Sequence, residues 1–274
     1  MTVDMFKDKF GPWALVAGGA QGIGETFSRH VAAQGVNVIA IDIDQDALDK
    51  IGHDLPKDYG VECLPLNVDL GADDMLDTVV AAVAEREVGL LIYNAAIASV
   101  GPFFRKDAGL DLEKARISVN VSGPLLLTYH FARPMLARRS GGIILMSSGA
   151  GLKGSPYYSA YSATKAYEIT LCEALWYEFK PYNVDVLAVA AGMTLSTAAP
   201  AFQHLDTSEF QTTEDCVNEA MAALGQQPLI IAGTKHRAER AELAALPDQQ
   251  AIAASADHAI GNFFGGVAPE QELD

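Results

Sequence analysis

Apolar residues fall along this chain in short continuous runs, and between the runs they recur at helical spacing. The runs at 13–17, 36–41, 62–66, 89–93, 143–147 and 185–190 have the length of strands and no polar alternation. Between them, apolar positions three or four residues apart predict helices over 22–34, 45–54, 73–86, 112–139 and 160–179. Ile23, Phe27 and Val31 mark that spacing in the first helix. Continuous apolar strands alternating with helices predict a parallel sheet covered on both faces. This is an α/β arrangement, doubly wound and three-layered, whose ligand site lies outside the carboxyl ends of the strands. No repeat and no long Pro- or Ser-rich linker interrupts the pattern, so residues 1–274 are expected to form a single domain. After Pro200 the pattern is less regular. A substrate lid is expected over 194–212, then a helix near 213–224, a last strand near 229–231 and a C-terminal extension over 235–274.

Composition narrows the function classes. Half the residues are hydrophobic and the 24 glycines are dispersed, which excludes a disordered or collagen-like chain. The longest apolar stretches are strand-sized, so no membrane span is expected. Residues 1–10 carry Asp and Lys where a signal peptide would carry a basic run and an apolar core. The formal charge of −16, from 35 acidic and 19 basic residues, repels phosphate backbones and argues against a nucleic-acid partner. Cys63, Cys172 and Cys216 are odd in number and far apart, as expected of reduced thiols in a cytoplasmic protein. The six histidines show no metal-ligand spacing, and no metal site is expected.

The first predicted strand runs into Ala17-Gly18-Gly19-Ala20-Gln21-Gly22-Ile23-Gly24. Glycines between a strand and a helix allow positive φ and let backbone approach a pyrophosphate at the helix N-terminus. Glycines after a strand also make plain turns, so position at the start of the sheet carries the functional reading. Asp42 ends the second strand, eighteen residues after Gly24. A carboxylate there accepts hydrogen bonds from the adenosine ribose and repels the 2′-phosphate of NADP. No Arg or Lys occurs at 19–21 or 43 to offset it, so NAD is the expected cofactor. The alternative is that Asp42 only caps the next helix. Asp69, followed by Leu70, either bonds the adenine or initiates the helix at Ala72.

Tyr161 and Lys165 are four residues apart, one turn along one helix face. Ser148 ends a predicted strand, where a doubly wound sheet presents its ligand. A phenol of pKa near 10 is a poor base at neutral pH, and an adjacent ammonium lowers that value. Tyr161 could then take the proton of an alcohol while hydride leaves the same carbon, with Ser148 holding the substrate oxygen.

At these residues the chain resembles the short-chain dehydrogenase/reductase family, over about residues 10–235. The family's Thr-Gly-x-x-x-Gly-x-Gly motif is matched at Gly18, Gly22 and Gly24. Its Asn-Asn-Ala-Gly motif appears as Tyr93-Asn94-Ala95-Ala96, and its helical Asn as Asn120. The family's Ser stands thirteen residues before its Tyr, which selects Ser148 over Ser147. Tyr-x-x-x-Lys is complete, and the Pro-Gly motif appears as Ala191-Gly192, followed by Thr194 and Ser196. The resemblance implies a Rossmann-type fold and interconversion of a secondary alcohol and a ketone. It assigns Asn120 a water linking Lys165 to solvent, Lys165 the nicotinamide ribose and Thr194 the carboxamide. Gln21, Ile23, Asn94, Ala95, Ala96, Gly192 and Ser196 join the cofactor-binding set. Ala17, Tyr93, Ala96 and Ala191 depart from the motifs, and a softened glycine loop with altered cofactor affinity is expected from the first two.

The substrate pocket is expected from the segments after the fourth, fifth and sixth strands, with Phe103, Leu152, Tyr157, Met193, Leu195 and Phe202 as its members. These side chains favour a hydrophobic or alicyclic alcohol or ketone, with Lys153 and Arg105 the only cations expected nearby. Family members commonly form dimers or tetramers through the helices equivalent to 121–139 and 160–180, so a homo-oligomer is expected. Two alternatives stay open: an NADP-dependent ketone reductase of the same family, which Asp42 opposes, and a non-catalytic NAD-binding regulator, which would be expected to lack Tyr161 or Lys165.

Overall fold

The computed structural model describes residues 2–106, 109–195, 207 and 210–273. Seven strands form one parallel sheet: β1 (Trp13–Ala17), β2 (Asn37–Asp42), β3 (Cys63–Asn67), β4 (Val88–Tyr93), β5 (Gly141–Ser148), β6 (Val184–Ala191) and β7 (Leu229–Ala232). Their order is β3-β2-β1-β4-β5-β6-β7. The winding therefore reverses between β1 and β4, and the carboxyl ends of these two strands part there.

Alternate side chains of each strand feed two cores. Ala14, Val16, Val38 and Ala40 face a layer made by α1 (Val3–Phe10), α2 (Gly22–Ala33), α3 (Gln45–Tyr59) and α8 (Thr213–Ala223). Leu15, Ala17, Ile39 and Ile41 face the opposite layer, made by α4 (Met75–Val83), α6 (Gly123–Arg138) and α7 (Ser159–Phe179). Every residue of β1 and β4 is buried, which is why these strands read as unbroken apolar runs.

The long helix expected over 112–139 is present but not uniform. It comprises α5 (Gly109–Ile117), a π-helical turn at Ser118–Ser122 and α6. The N-terminal helix α1 was not expected, although Val3, Phe6 and Phe10 recur at helical spacing, and both phenylalanines are buried in the core. The tail expected beyond β7 is in fact two helices, α9 (Thr234–Ala244) and α10 (Asp248–Phe263). The Phe104 amide donates to Gln271 Oε1 and its carbonyl accepts from the Glu272 amide, both at 2.9 Å, which ties this segment to the loop after β4. Among the described residues no helix is long and apolar enough to cross a membrane, and no cluster of three or more metal-ligating side chains occurs.

Candidate active site

The glycine loop is held from three sides. The amides of Gly18 and Gly19 donate to the Ile41 carbonyl at 2.8 and 3.0 Å, and those of Asn94 and Ala95 donate to the Ala17 carbonyl at 2.9 and 3.0 Å. Asn94 Nδ2 also donates to the Gly18 carbonyl at 3.0 Å. Gly18 has φ +71°, and a Cβ on Gly24 would stand 1.7 Å from the Gly18 oxygen, so neither position admits a side chain without rearrangement. Backbone contacts thus hold the glycine loop to β2 and β4. Ala17 and Tyr93 are in register on β1 and β4, and the Tyr93 hydroxyl donates to the Val119 carbonyl at 2.6 Å inside the π turn. A π turn leaves backbone groups short of helical partners, and this phenol satisfies one of them.

Asp42 accepts from three amides: Ala20 at 3.2 Å, Ile43 at 2.9 Å and Asp44 at 3.3 Å. Beside it, Asp44 caps α3 through the Ala47 amide and accepts from Gln21 Nε2 at 2.5 Å. Two carboxylates therefore border the glycine loop at the end of β2. Asp69 is exposed and accepts from the Gly71 amide at 2.8 Å, and Leu70 is buried. Gln21, the N-cap of α2, makes no side-chain cap bond, which leaves first-turn amides available to an anion at the helix start.

Ser148 ends β5, and its Oγ accepts from the Ala150 amide at 3.2 Å. The neighbouring Ser147 hydroxyl donates to the Lys165 carbonyl at 2.7 Å, locking β5 to α7. That bond separates the two serines: Ser147 is structural in its contacts, and Ser148 is free to face outward. Lys165 is 1% exposed. Its Nζ donates to the Met146 carbonyl at 2.7 Å and to Glu168 Oε1 at 2.9 Å, and lies 5.8 Å from the centre of the Tyr161 ring. Burial pushes the Glu168 carboxyl up to about 7, although Lys165 pulls it the other way. Asn120 is fully buried in the π turn. Its Oδ1 accepts from the Ile97 amide at 2.8 Å, and its Nδ2 donates to the Ile97 carbonyl and to Thr164 Oγ1, both at 3.1 Å. Asn120 thus ties the loop after β4 to α7.

A cavity of about 590 Å³ opens over the carboxyl ends of β4, β5 and β6. It brings together Gln21, Ile23, Asn94, Ala96, Ser148, Tyr161, Lys165, Gly192, Met193 and Thr194 from the expected set. Asn120 stands outside the wall. Four expected pocket residues do not reach the cavity. Phe103 is 59% exposed and packs on Phe104, Leu152 packs toward the core, and Leu195 is exposed. Tyr157, at φ +65°, turns its ring onto Phe264 and lines a smaller pocket instead. Ser196, Phe202 and most of the expected lid lie outside the described residues.

The remaining wall of the cavity comes from α9 and α10, with Tyr158 at their edge. His236, Arg240, Leu243, Leu246, Ser255 and Phe263 line it, and none of them was identified as a site residue in the sequence. Weak signals were present: Leu243 and Leu246 follow Arg240 at helical spacing, and Ala251 and Ala259 mark a small-residue face. Lys153 and Arg105 are not the cations of this cavity. Lys153 pairs with Asp248 at 2.5 Å, and Arg105 donates to the Val100 carbonyl at 2.8 Å. Arg240 takes that position.

A reversal of winding, a glycine loop at that point and a cavity above the strand ends define a doubly wound α/β protein of the dinucleotide-binding type. The chain belongs to the short chain dehydrogenase family, whose model matches residues 12–207. It is similar to the 7beta-hydroxysteroid dehydrogenase of Mediterraneibacter gnavus, with 28% identity over 239 residues, covering 85% of this chain and 90% of the relative. It is also 28% identical over 220 residues to the very-long-chain 3-oxoacyl-CoA reductase of Macaca fascicularis, covering 79% of this chain and 70% of that protein. A solved structure of a 7beta-hydroxysteroid dehydrogenase superposes with a TM-score of 0.86 at 27% identity, over 93% of this chain and 99% of that one. The chain is an oxidoreductase of a family that uses nicotinamide cofactors. The uncapped first turn of α2, beside a glycine loop packed too closely for side chains at Gly18 and Gly24, fits a dinucleotide.

Proposed function

We propose that the protein interconverts a hydrophobic, alicyclic secondary alcohol and its ketone, with NAD(H) as cofactor and Tyr161 as the general acid and base. One observation carries the reading: Ser148, Tyr161 and Lys165 share the wall of a cavity at the strand ends beside the glycine loop. Residues 18–24, Asn94, Gly192 and Thr194 would hold the dinucleotide, which when bound accepts or supplies the hydride. Asp42 and Asp44 at the end of β2 favour a ribose hydroxyl over a ribose phosphate, since a second anion beside them is repelled.

In this reading Tyr161 takes the alcohol proton in oxidation and returns it in reduction. Lys165 places its ammonium 5.8 Å from the centre of the Tyr161 ring, beside the proton in transfer. Ser148 donates to the substrate oxygen and stabilises the charge that develops there. Asn120 positions the helix turn that carries Tyr161, through Thr164, whose hydroxyl donates to the Tyr161 carbonyl at 2.8 Å. The apolar lining at Met193, Leu243, Leu246 and Phe263 supports an alicyclic body, in keeping with the hydroxysteroid dehydrogenases among the relatives.

The test is turnover of cyclic and steroidal secondary alcohols with NAD or NADP, followed by reduced-nicotinamide absorbance. Turnover with NAD that falls by about a thousandfold or more in Tyr161→Phe is expected. Undiminished turnover in that variant would end the assignment to Tyr161, and a preference for NADP would end the assignment of NAD.

A further inference from the structure

The C-terminal wall of the cavity carries polar atoms that the reaction above does not use. His236 sits on the first turn of α9 and packs directly over Gly149 and Gly192: a Cβ on either glycine would meet its ring within 3 Å. Arg240 lies one turn further along the same face, and its Nε would stand 3.0 Å from a Cβ on Gly149, the residue after Ser148. Across from them, α10 contributes Ser255. His236 Nε2, Arg240 Nε and Ser255 Oγ are all buried and have no hydrogen-bond partner. Among the described residues Arg240 forms no hydrogen bond and no salt bridge. It is within electrostatic reach of Glu239 and Tyr158 without bonding either.

A buried guanidinium nitrogen without a partner is costly, and proteins pair such groups or present them to a ligand. The other cation of the cavity, Lys165, is already held by Glu168 and the Met146 carbonyl. Burial pushes His236 down to about 4, helped by the nearby Arg240 and His258, so at neutral pH its ring is an uncharged hydrogen-bonding group. Arg240 is therefore the cation left for a ligand. Glu239 and Glu242 also line the cavity, and Glu239 stands 3.8 Å from His236 Nδ1. Those carboxylates disfavour a multiply charged group such as a phosphate. His258 is the remaining polar member of this wall, and Leu243, Leu246, Ala254, Ala259 and Phe263 are apolar.

We propose that the substrate carries a carboxylate in addition to its reacting carbon, and that Arg240 binds this carboxylate with His236 and Ser255 beside it. The proposal rests on the oxidoreductase reading and sharpens it: the substrate is a hydrophobic alicyclic hydroxy acid or keto acid. Guanidinium meets carboxylate through two parallel bonds, which makes the contact both strong and directional.

The experiment compares alicyclic and steroidal hydroxy acids with their methyl esters, in the wild type and in Arg240→Leu. The wild type is expected to favour the acid by about ten- to a hundredfold in kcat/KM, chiefly through KM, and in Arg240→Leu the ratio of acid to ester falls to about one. A merely structural role for Arg240 would lower both substrates together and leave the ratio in place. The ligand-free variant is expected to melt no lower than the wild type, because the half-buried Arg240 side chain makes no hydrogen bond or salt bridge among the described residues that it could lose. Equal use of acid and ester by the wild type, or a ratio unmoved by Arg240→Leu, overturns the proposal while leaving the oxidoreductase reading intact. Thermal stabilisation by the acid but not the ester, lost in Arg240→Leu and without turnover of either, would sustain the carboxylate site and overturn the oxidoreductase reading.

Discussion

Lys165 Nζ lies 2.9 Å from Glu168 Oε1, and both side chains are sealed from solvent, with Glu168 Oε2 left without a partner. The lysine beside the proposed catalytic phenol is thus compensated by a carboxylate one turn further along α7. The pairing offsets the ammonium that stands beside the proposed base. In Glu168→Gln the ammonium is no longer offset, and kcat for oxidation at fixed pH is expected to change by up to about tenfold. A kcat equal to that of the wild type would show that the carboxylate does not act on the reaction.

The same group links stability to pH. Its folded value of about 7 stands above the ordinary 4.5, so the native state binds this proton more tightly than the unfolded chain. The resulting stability is full below pH 4.5 and is lost as pH rises through 7, a change on the order of a few kcal/mol. Glu168→Gln should flatten that part of the curve of Tm against pH, measured by calorimetry between pH 4.5 and 8.

Lys165→Met strands the Glu168 carboxylate in the core. At pH 8 the variant is expected to lose about 3 kcal/mol or more, and less at pH 6, where Glu168 can take up a proton. Adding Glu168→Gln should restore much of the stability without restoring turnover. Denaturant melts at the two pH values separate the charge effect from simple loss of packing.

Asp42 bears on cofactor choice. Its carboxylate is gathered by three backbone amides at the end of β2. Asp42→Ala is expected to reduce the preference for NAD over NADP, as a ratio of kcat/KM values, by about tenfold or more. An unchanged ratio would reduce Asp42 to a loop anchor.

Tyr93 tests the link between β4 and the π turn. Tyr93→Phe leaves the Val119 carbonyl buried without its phenol donor, at a cost of about 1–3 kcal/mol in urea denaturation. Because Asn120 is the next residue, a fall in kcat should accompany the loss of stability.

Much of the core is legible along the chain because its strands are buried on both faces, and burial on both faces writes continuous apolar runs. Local spacing also determines the Tyr161 and Lys165 pairing, since one helix turn suffices to bring them together, and it places glycines where β1 meets α2. The expectation of Ser148 over Ser147 rests on the thirteen-residue spacing of the family; in the structure both line the cavity, and the Ser147 hydroxyl donates to the Lys165 carbonyl. Tertiary structure alone decided the other half of the cavity. Helices α9 and α10 are polar or alanine-rich, and their inward residues are recognisable only once the chain end has folded back over the strand ends. Glu168 was equally silent, because a glutamate on a helix reads as a solvated charge until packing buries it against Lys165. Periodicity records which face of an element is covered. It does not record what covers it, and at this site the covering helices α9 and α10 bring His236, Arg240 and Ser255 to the cavity.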